Sequence, residues 1–166
     1  MTKCSVFAVQ AMSKNKFPWN IGALGIKFFQ KTNYSHYALL LCFPDGRKKY
    51  FDSTPWGVRE NTQYMFTQHY STKSEVLIDE IGYYEFEKFF DLHRGKYYGF
   101  GQIIGIALKL FHLVSKNPFG KGAKYVICNE LVLLYTNYRR LTNIIDTDSL
   151  DLNDTEEIIE NIKFQW

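Results

Sequence analysis

The stretch "HYALLLCFPDGRKKYFDST", residues 36–54, decides the fold. Two runs rich in aliphatic and aromatic side chains flank "PDGR", residues 44–47, where proline presets one backbone angle and glycine tolerates a positive one. That combination predicts a β-hairpin. The first arm is apolar at nearly every position from Tyr37 to Cys42, so it reads as a strand covered on both faces. One titratable group, His36, stands at its entrance.

Upstream, "CSVFAVQAM", residues 4–12, reads as a first strand or an irregular entry segment. "PWNIGALGIKFFQKT", residues 18–32, spaces Ile21, Leu24, Ile26, Phe28 and Phe29 roughly as a helix does, behind a well-placed Pro18. Gly22 and Gly25 weaken that helix. Downstream, Pro55 in "PWGVRENT" argues against continuation of the second arm.

"SEVLIDEI", residues 74–81, reads as another strand. "GYYEFEKFFDLHRG" then sets Tyr84, Phe86, Phe89, Phe90 and Leu92 in a helical pattern that Gly95 stops. "GQIIGIALKLFHLV", residues 101–114, predicts a second helix, and "SKNPFGKGAK", residues 115–124, a loop. "YVICNELVLLYTNY", residues 125–138, has the composition of a buried helix. A last short helix follows, capped by Asp151 or Asn153, with Glu156 and Glu157 in its first turn favouring the helix dipole.

A chain of 166 residues with 46% hydrophobic and 22% charged content supports one core, so a single domain over residues 1–166 is expected. The formal charge is +3, and the lysines and arginines are spread along the chain. The densest cluster, "GRKK" at residues 46–49, sits in the hairpin turn, which argues against a nucleic-acid partner. Cys4, Cys42 and Cys128 show no CxxC spacing, so neither a disulfide framework nor a zinc site is expected, and a reducing, intracellular setting is the simpler inference. The N-terminal residues make a weak signal peptide. The apolar run "IIGIALKLF" is broken by Lys109 and falls short of the roughly 20 residues a membrane span needs. Neither a cofactor signature nor a metal-ligand cluster is present in the sequence.

Cys128 is a candidate nucleophile: at the start of a helix it feels the positive end of the dipole, which favours thiolate. Its alternative is a small core side chain. Thiol nucleophiles are activated by an imidazole that a third polar group orients. His36 is a candidate imidazole, whereas His69, His93 and His112 lack an obvious orienting neighbour. Folding the hairpin brings Asp52 back beside the residues just after His36, and in a suitable register both side chains share a face. The alternative for Asp52 is a local cap of the turn made by "DSTP", residues 52–55.

The order "YSHYALLL", "YFDST", "GKYYGFGQIIGIAL", "YVICNELV" and "DLNDTEEIIENI" resembles the circularly permuted branch of the NlpC-type, papain-like cysteine peptidases and amidases, in particular its phage and bacterial members. The likeness runs from about residue 17 to residue 162. Ser35 and His36 match the Ser-His pair that opens a strand in that branch, and Asp52 stands where an acidic residue is found. Cys128, Asn129 and Glu130 match its Cys-Ser-Glu, with Asn129 replacing the serine. Tyr97 and Tyr98 stand where a Tyr-Asp pair often begins the middle helix.

The resemblance implies an α+β, papain-like (permuted NlpC-type) fold. In it a small antiparallel sheet carries His36 and Asp52 and packs on a central helix that begins near Cys128, with a helical insertion over about residues 83–115. It implies thiol chemistry on a peptide, isopeptide or other amide substrate, with cell-wall peptide (peptidoglycan) among the choices. Cys128 would be the nucleophile, His36 the base and Asp52 the orienting group, with the Cys128 amide as one oxyanion donor and Glu130 in a structural role. The setting it implies is cytoplasmic or phage-associated. Two alternatives stay open: a binding or structural protein on the same fold without turnover, and a lipid-directed acyltransferase or esterase whose acyl site "FGQIIGIALKLFHLV" would line.

Overall fold

The hairpin forms where proline and glycine require it: Gly46 takes φ +85°, and its N–H donates to the Phe43 carbonyl at 2.9 Å. In this computed structural model, which describes residues 3–14, 32–116, 118–119, 124–145, 147 and 150–163, its arms are β2 (His36–Cys42) and β3 (Lys48–Thr54). β1 (Lys3–Ser13) pairs with β2 on the other side, so β2 lies in the middle of the sheet. The expected helix over residues 18–32 falls almost wholly outside the described residues.

Pro55 does not end the sheet. Thr54 and Gly57 bracket a tight turn in which Thr54 Oγ1 accepts from the Trp56 N–H at 3.3 Å, and β4 (Gly57–Thr62) returns antiparallel along β3. The second arm ends at Thr54, as Pro55 implied, and the proline sits in the turn, where a missing N–H disrupts no ladder; the return strand β4 is what the sequence reading did not include. Gly57 is needed because its φ is +96° and an added Cβ would stand 2.7 Å from the Lys96 carbonyl oxygen. β5 (Tyr70–Gly82), longer at both ends than expected, completes a five-stranded antiparallel sheet in the order β4-β3-β2-β1-β5.

Strand alternation divides the sheet's side chains between two faces. On one, Tyr37, Leu39 and Leu41 of β2 and Phe51 of β3 enter the main core. On the other, Ala38, Leu40 and Tyr50 pack beneath Phe66 of α1 (Gln63–His69), a helix capped by the Thr62 side chain. Both faces of β2 are therefore covered, as its continuous apolar run requires.

α2 (Tyr83–Asp91) contributes Phe86, Phe89 and Phe90 to the main core, with Phe51 wedged 4.7 Å from Phe86 and 4.6 Å from Phe90. Each buried phenylalanine stabilises the fold by about 1.5–3 kcal/mol. Tyr84, in the first turn, and Leu92, past the last helical residue Asp91, face solvent instead. After a turn at Gly95 come β6 (Tyr97–Tyr98) and α3 (Phe100–Leu110), and β7 (Tyr125–Val126) then pairs in parallel with β6.

The core is closed by α4 (Cys128–Tyr138) and α5 (Leu152–Lys163). α4 carries Leu131, Val132 and Tyr135 onto the sheet, and its far end is pinned to β5 by Asp79, whose Oδ2 accepts from Tyr135 at 2.7 Å and from Arg139 Nε at 2.6 Å. α5 begins one residue after Asp151, whose carboxylate accepts from the Asn153 and Asp154 N–H groups at 2.8 and 2.9 Å. Its first turn thus carries Asp154, and Glu156 and Glu157 lie beyond it. Glu156 is spent on tertiary contacts, accepting from Tyr34 and Gln10. The architecture is mixed α+β: a five-stranded antiparallel sheet and five helices among the described residues.

Candidate active site

β7 decides where the cysteine lies. Ser53, buried on β3, donates through Oγ to the Val126 carbonyl at 2.5 Å, which fastens β7 to the sheet two residues before Cys128. Cys128 is then the first residue of α4. The helix start is held by Glu130, whose Oε2 accepts from the Ile127 N–H and from Gln102 Nε2, each at 3.2 Å. Asn129 ties the same turn to α5, donating to the Leu150 carbonyl at 2.9 Å and to Thr155 Oγ1 at 3.2 Å. Asn129 thus performs a packing job for which a serine would be too short.

The register Ala38↔Asp52 puts Asp52 two positions along from His36 on the same face of the sheet. His36 Nε2 donates to Asp52 Oδ2 at 3.1 Å. Asp52 is fully buried, and its other oxygen accepts from Asn61 Nδ2 at 2.7 Å, with Arg59 Nε at 3.7 Å. It does not cap the turn after it; Thr54 does. The imidazole is also fixed in plane: Tyr70 stacks on it with centroids 4.3 Å apart and an interplanar angle of 7°.

His36 and Cys128 approach from opposite faces of the sheet. Phe66 and Tyr70 flank His36 on one, whereas Cys128 belongs to the core on the other. They meet because His36 is the first residue of β2, at the end of the sheet where α4 begins, so the ring reaches around the strand's edge. His36 and Cys128 are neighbours close enough that each shifts the other's proton affinity. With Nε2 committed to Asp52, Nδ1 is the nitrogen left for the sulfur.

The electrostatics of the pair run one way. Burial disfavours the imidazolium, but the hydrogen bonds to Asp52 and Cys128 and the charge on both outweigh it, raising His36 from 6.5 to about 9. Burial pushes the Cys128 thiol up, and His36 together with the backbone N–H groups of Tyr37 and Asn129 reverses that, leaving it below its ordinary value. Both displacements favour thiolate facing imidazolium. Such a thiolate is a nucleophile at neutral pH, and the imidazolium beside it can hand a proton to a leaving group.

Three neighbours were not assigned to the site from the sequence. Tyr98 lines the same cleft as the Cys128 sulfur, and its phenol is driven well above its ordinary value by burial and by the charges of Cys128, Tyr70 and Asp52, so it stays protonated as a donor. Asn61 was hidden because residues 55–62 were not read as a strand; once β4 pairs with β3, Asn61 falls two positions from the residue opposite Asp52. Tyr70 carries no local signal at all. Of the remaining histidines, His93 is buried beside Lys96 Nζ at 2.9 Å, while His69 closes α1 and His112 follows α3.

Beside the sulfur lies a cleft of about 20 Å³, lined by Tyr98, Ile103, Ile106, Ile127, Asn129 and Leu152. That volume accommodates about one water-sized guest, and its walls are mostly aliphatic. No group of three or more His, Cys, Asp or Glu side chains suited to hold a metal ion occurs among the described residues. No protein-family model, curated protein or solved structure matches the chain, so the chemistry must be read from the site itself.

Proposed function

We propose that the protein is a thiol hydrolase that cleaves an amide bond through Cys128, His36 and Asp52, on a papain-like fold of the permuted NlpC type. The observation that carries this reading is the buried chain Asp52–His36–Cys128, with the sulfur at the first turn of α4 and the thiol and imidazole shifted in opposite directions. A cysteine used only for packing has no need of an oriented imidazole, and burying that imidazole beside a carboxylate is costly unless it is used.

In this mechanism the Cys128 thiolate attacks the carbonyl carbon, and the π electrons move to the oxygen. The oxyanion is received by the Cys128 N–H at the start of α4, with the Tyr98 hydroxyl as the second donor. His36 gives its proton to the departing amine as the C–N bond breaks, leaving a thioester on Cys128. His36 then takes a proton from water, whose oxygen displaces the thiolate and releases the acid. Asp52 keeps Nε2 protonated and Nδ1 aimed at the sulfur throughout.

The aliphatic walls of the cleft favour a second reading within the same chemistry, an ester or amide whose acyl group is apolar, for which the cleft must widen beyond its room for about one water-sized guest. Intact-mass spectrometry tests both together. Wild-type protein is incubated with a panel of muropeptides, isopeptides and fatty-acyl p-nitrophenyl esters, and a trapped acyl adduct is located by peptide mapping. An adduct on Cys128, absent in Cys128→Ser and His36→Gln, supports the hydrolase and names the acyl class. Turnover that persists in Cys128→Ser refutes it.

A further inference from the structure

The lysines are spread along the chain, but the acidic residues are not. Between Leu92 and Ile127 fall six of the 20 lysines and arginines and none of the 17 aspartates and glutamates. The same segment carries α3, whose apolar side chains point in more than one direction: Ile103 and Ile106 line the Cys128 cleft, while Phe100, Ile104 and Phe111 are more than half exposed. Positions 100, 104 and 111 recur at helical spacing and form one outward stripe.

Exposed aromatic residues gather around that stripe. Phe119 lies against Gly101, where an added Cβ would stand 3.3 Å from its own. Tyr97 and Tyr125, both exposed, approach within 6.2 Å on β6 and β7. Trp56, 82% exposed, tips the β3–β4 turn, and Val58 beyond it binds the Gly95 and Lys96 backbone next to β6. Lys124 is exposed and its carbonyl accepts from the Tyr97 N–H, which places its backbone beside the aromatic cluster, and Lys116 is exposed beyond the end of α3.

We propose that this face, α3 with β6, β7 and the Trp56 turn, docks on an anionic lipid bilayer. The proposal goes beyond the hydrolase reading and does not depend on it. A bilayer surface is the occupant that satisfies both halves of the patch: the apolar stripe enters the headgroup boundary, Trp and Tyr suit that depth, and the exposed Lys116 and Lys124 meet anionic headgroups, whereas Arg94 of the same segment is spent on Glu87 and Asp91. A second copy packed about a two-fold axis would set the same positive segment against itself. A nucleic acid would leave Ile104 and Phe111 without a partner. The docking is peripheral: α3 has 11 residues, and no helix among the described residues is long and apolar enough to cross a membrane.

The test is flotation of the full chain with phosphatidylcholine vesicles, with and without phosphatidylglycerol, alongside light scattering and a single-stranded oligonucleotide control. Expected are flotation that requires phosphatidylglycerol and weakens with salt, a loss of about ten-fold or more for Ile104→Asp, and a loss of about five-fold for each of Lys116→Gln and Lys124→Gln. All three positions are surface ones outside the thiol site, and circular dichroism verifies that each variant is folded. Absence of flotation with phosphatidylglycerol overturns the proposal, as does flotation that Ile104→Asp leaves unchanged. A dimer that Ile104→Asp dissolves, or oligonucleotide binding without vesicle binding, would assign the face to another occupant and overturn it equally.

Discussion

Replacing His36 with glutamine separates an activated thiol from a merely buried one. Glutamine retains a donor that can bond Asp52 Oδ2, so the buried carboxylate keeps a partner, but it offers the sulfur no basic nitrogen. In the wild type the imidazole is the main agent lowering Cys128 against burial. Without it, burial remains and the two backbone N–H groups oppose it alone. A free thiol of pKa about 8.5 is roughly 1% ionised at pH 6.5, so lowering the thiol raises its ionised fraction there by at most about 100-fold. A low-pKa thiolate is intrinsically a weaker nucleophile, by about 0.4–0.5 log unit for each unit of pKa, which reduces the expected difference at pH 6.5 to a few-fold, so the shape of the pH profile is the decisive readout.

The assay is the iodoacetamide rate at Cys128 against pH, read by intact mass with peptide mapping to separate Cys4 and Cys42. The wild-type rate should be level from about pH 6.5 to the region of about 9, where His36 releases its proton. The His36→Gln rate should climb about ten-fold per pH unit until it meets an ordinary thiol pKa. Coincident profiles would show that His36 does not hold the thiolate. A steep wild-type profile would show that no thiolate is held, and Cys128 would then be core packing.

Three further outcomes are expected. Asp52→Asn removes the charge that supports the imidazolium, so the level region of the alkylation profile should end below pH 9, with a loss of about 1–3 kcal/mol in urea unfolding for the disturbed buried cluster; an unchanged upper limit would remove Asp52 from the site. Gly57→Ala should cost about 1–3 kcal/mol from its positive φ alone, and more from the contact with the Lys96 carbonyl, whereas wild-type stability would refute the close approach. His93 is lowered from 6.5 to about 4 by burial and by Lys96. The unfolded chain therefore takes up a proton that the folded one refuses, and stability should fall as pH drops from 6.5 to 4. His93→Gln should flatten that slope of thermal midpoint against pH, and an unaltered slope would place the acid sensitivity elsewhere.

The local features of this chain were legible without coordinates. "PDGR" between two apolar arms dictates a hairpin, because few sequences satisfy both the fixed proline angle and the positive φ of Gly46. The phenylalanine spacing in residues 83–91 dictates a buried helical face, and the hairpin's own register brings Asp52 near His36. β4 was missed because proline was weighed as a strand breaker when it occupies a turn. With β4 went Asn61, and with it half of the hydrogen bonding that holds Asp52.

The tertiary structure alone decided that Cys128 and His36 meet. They are 92 residues apart, on opposite faces of the sheet, and touch only because β2 begins where α4 begins. Tyr70, stacked on the imidazole, and Tyr98, in the cleft beside the sulfur, come from elements whose positions depend on β1 separating β2 from β5 and on Ser53 pinning β7. Periodicity and turn chemistry act over a few residues and are written in the sequence. Contacts between elements distant along the chain arise from burial of the whole core, which no local pattern encodes.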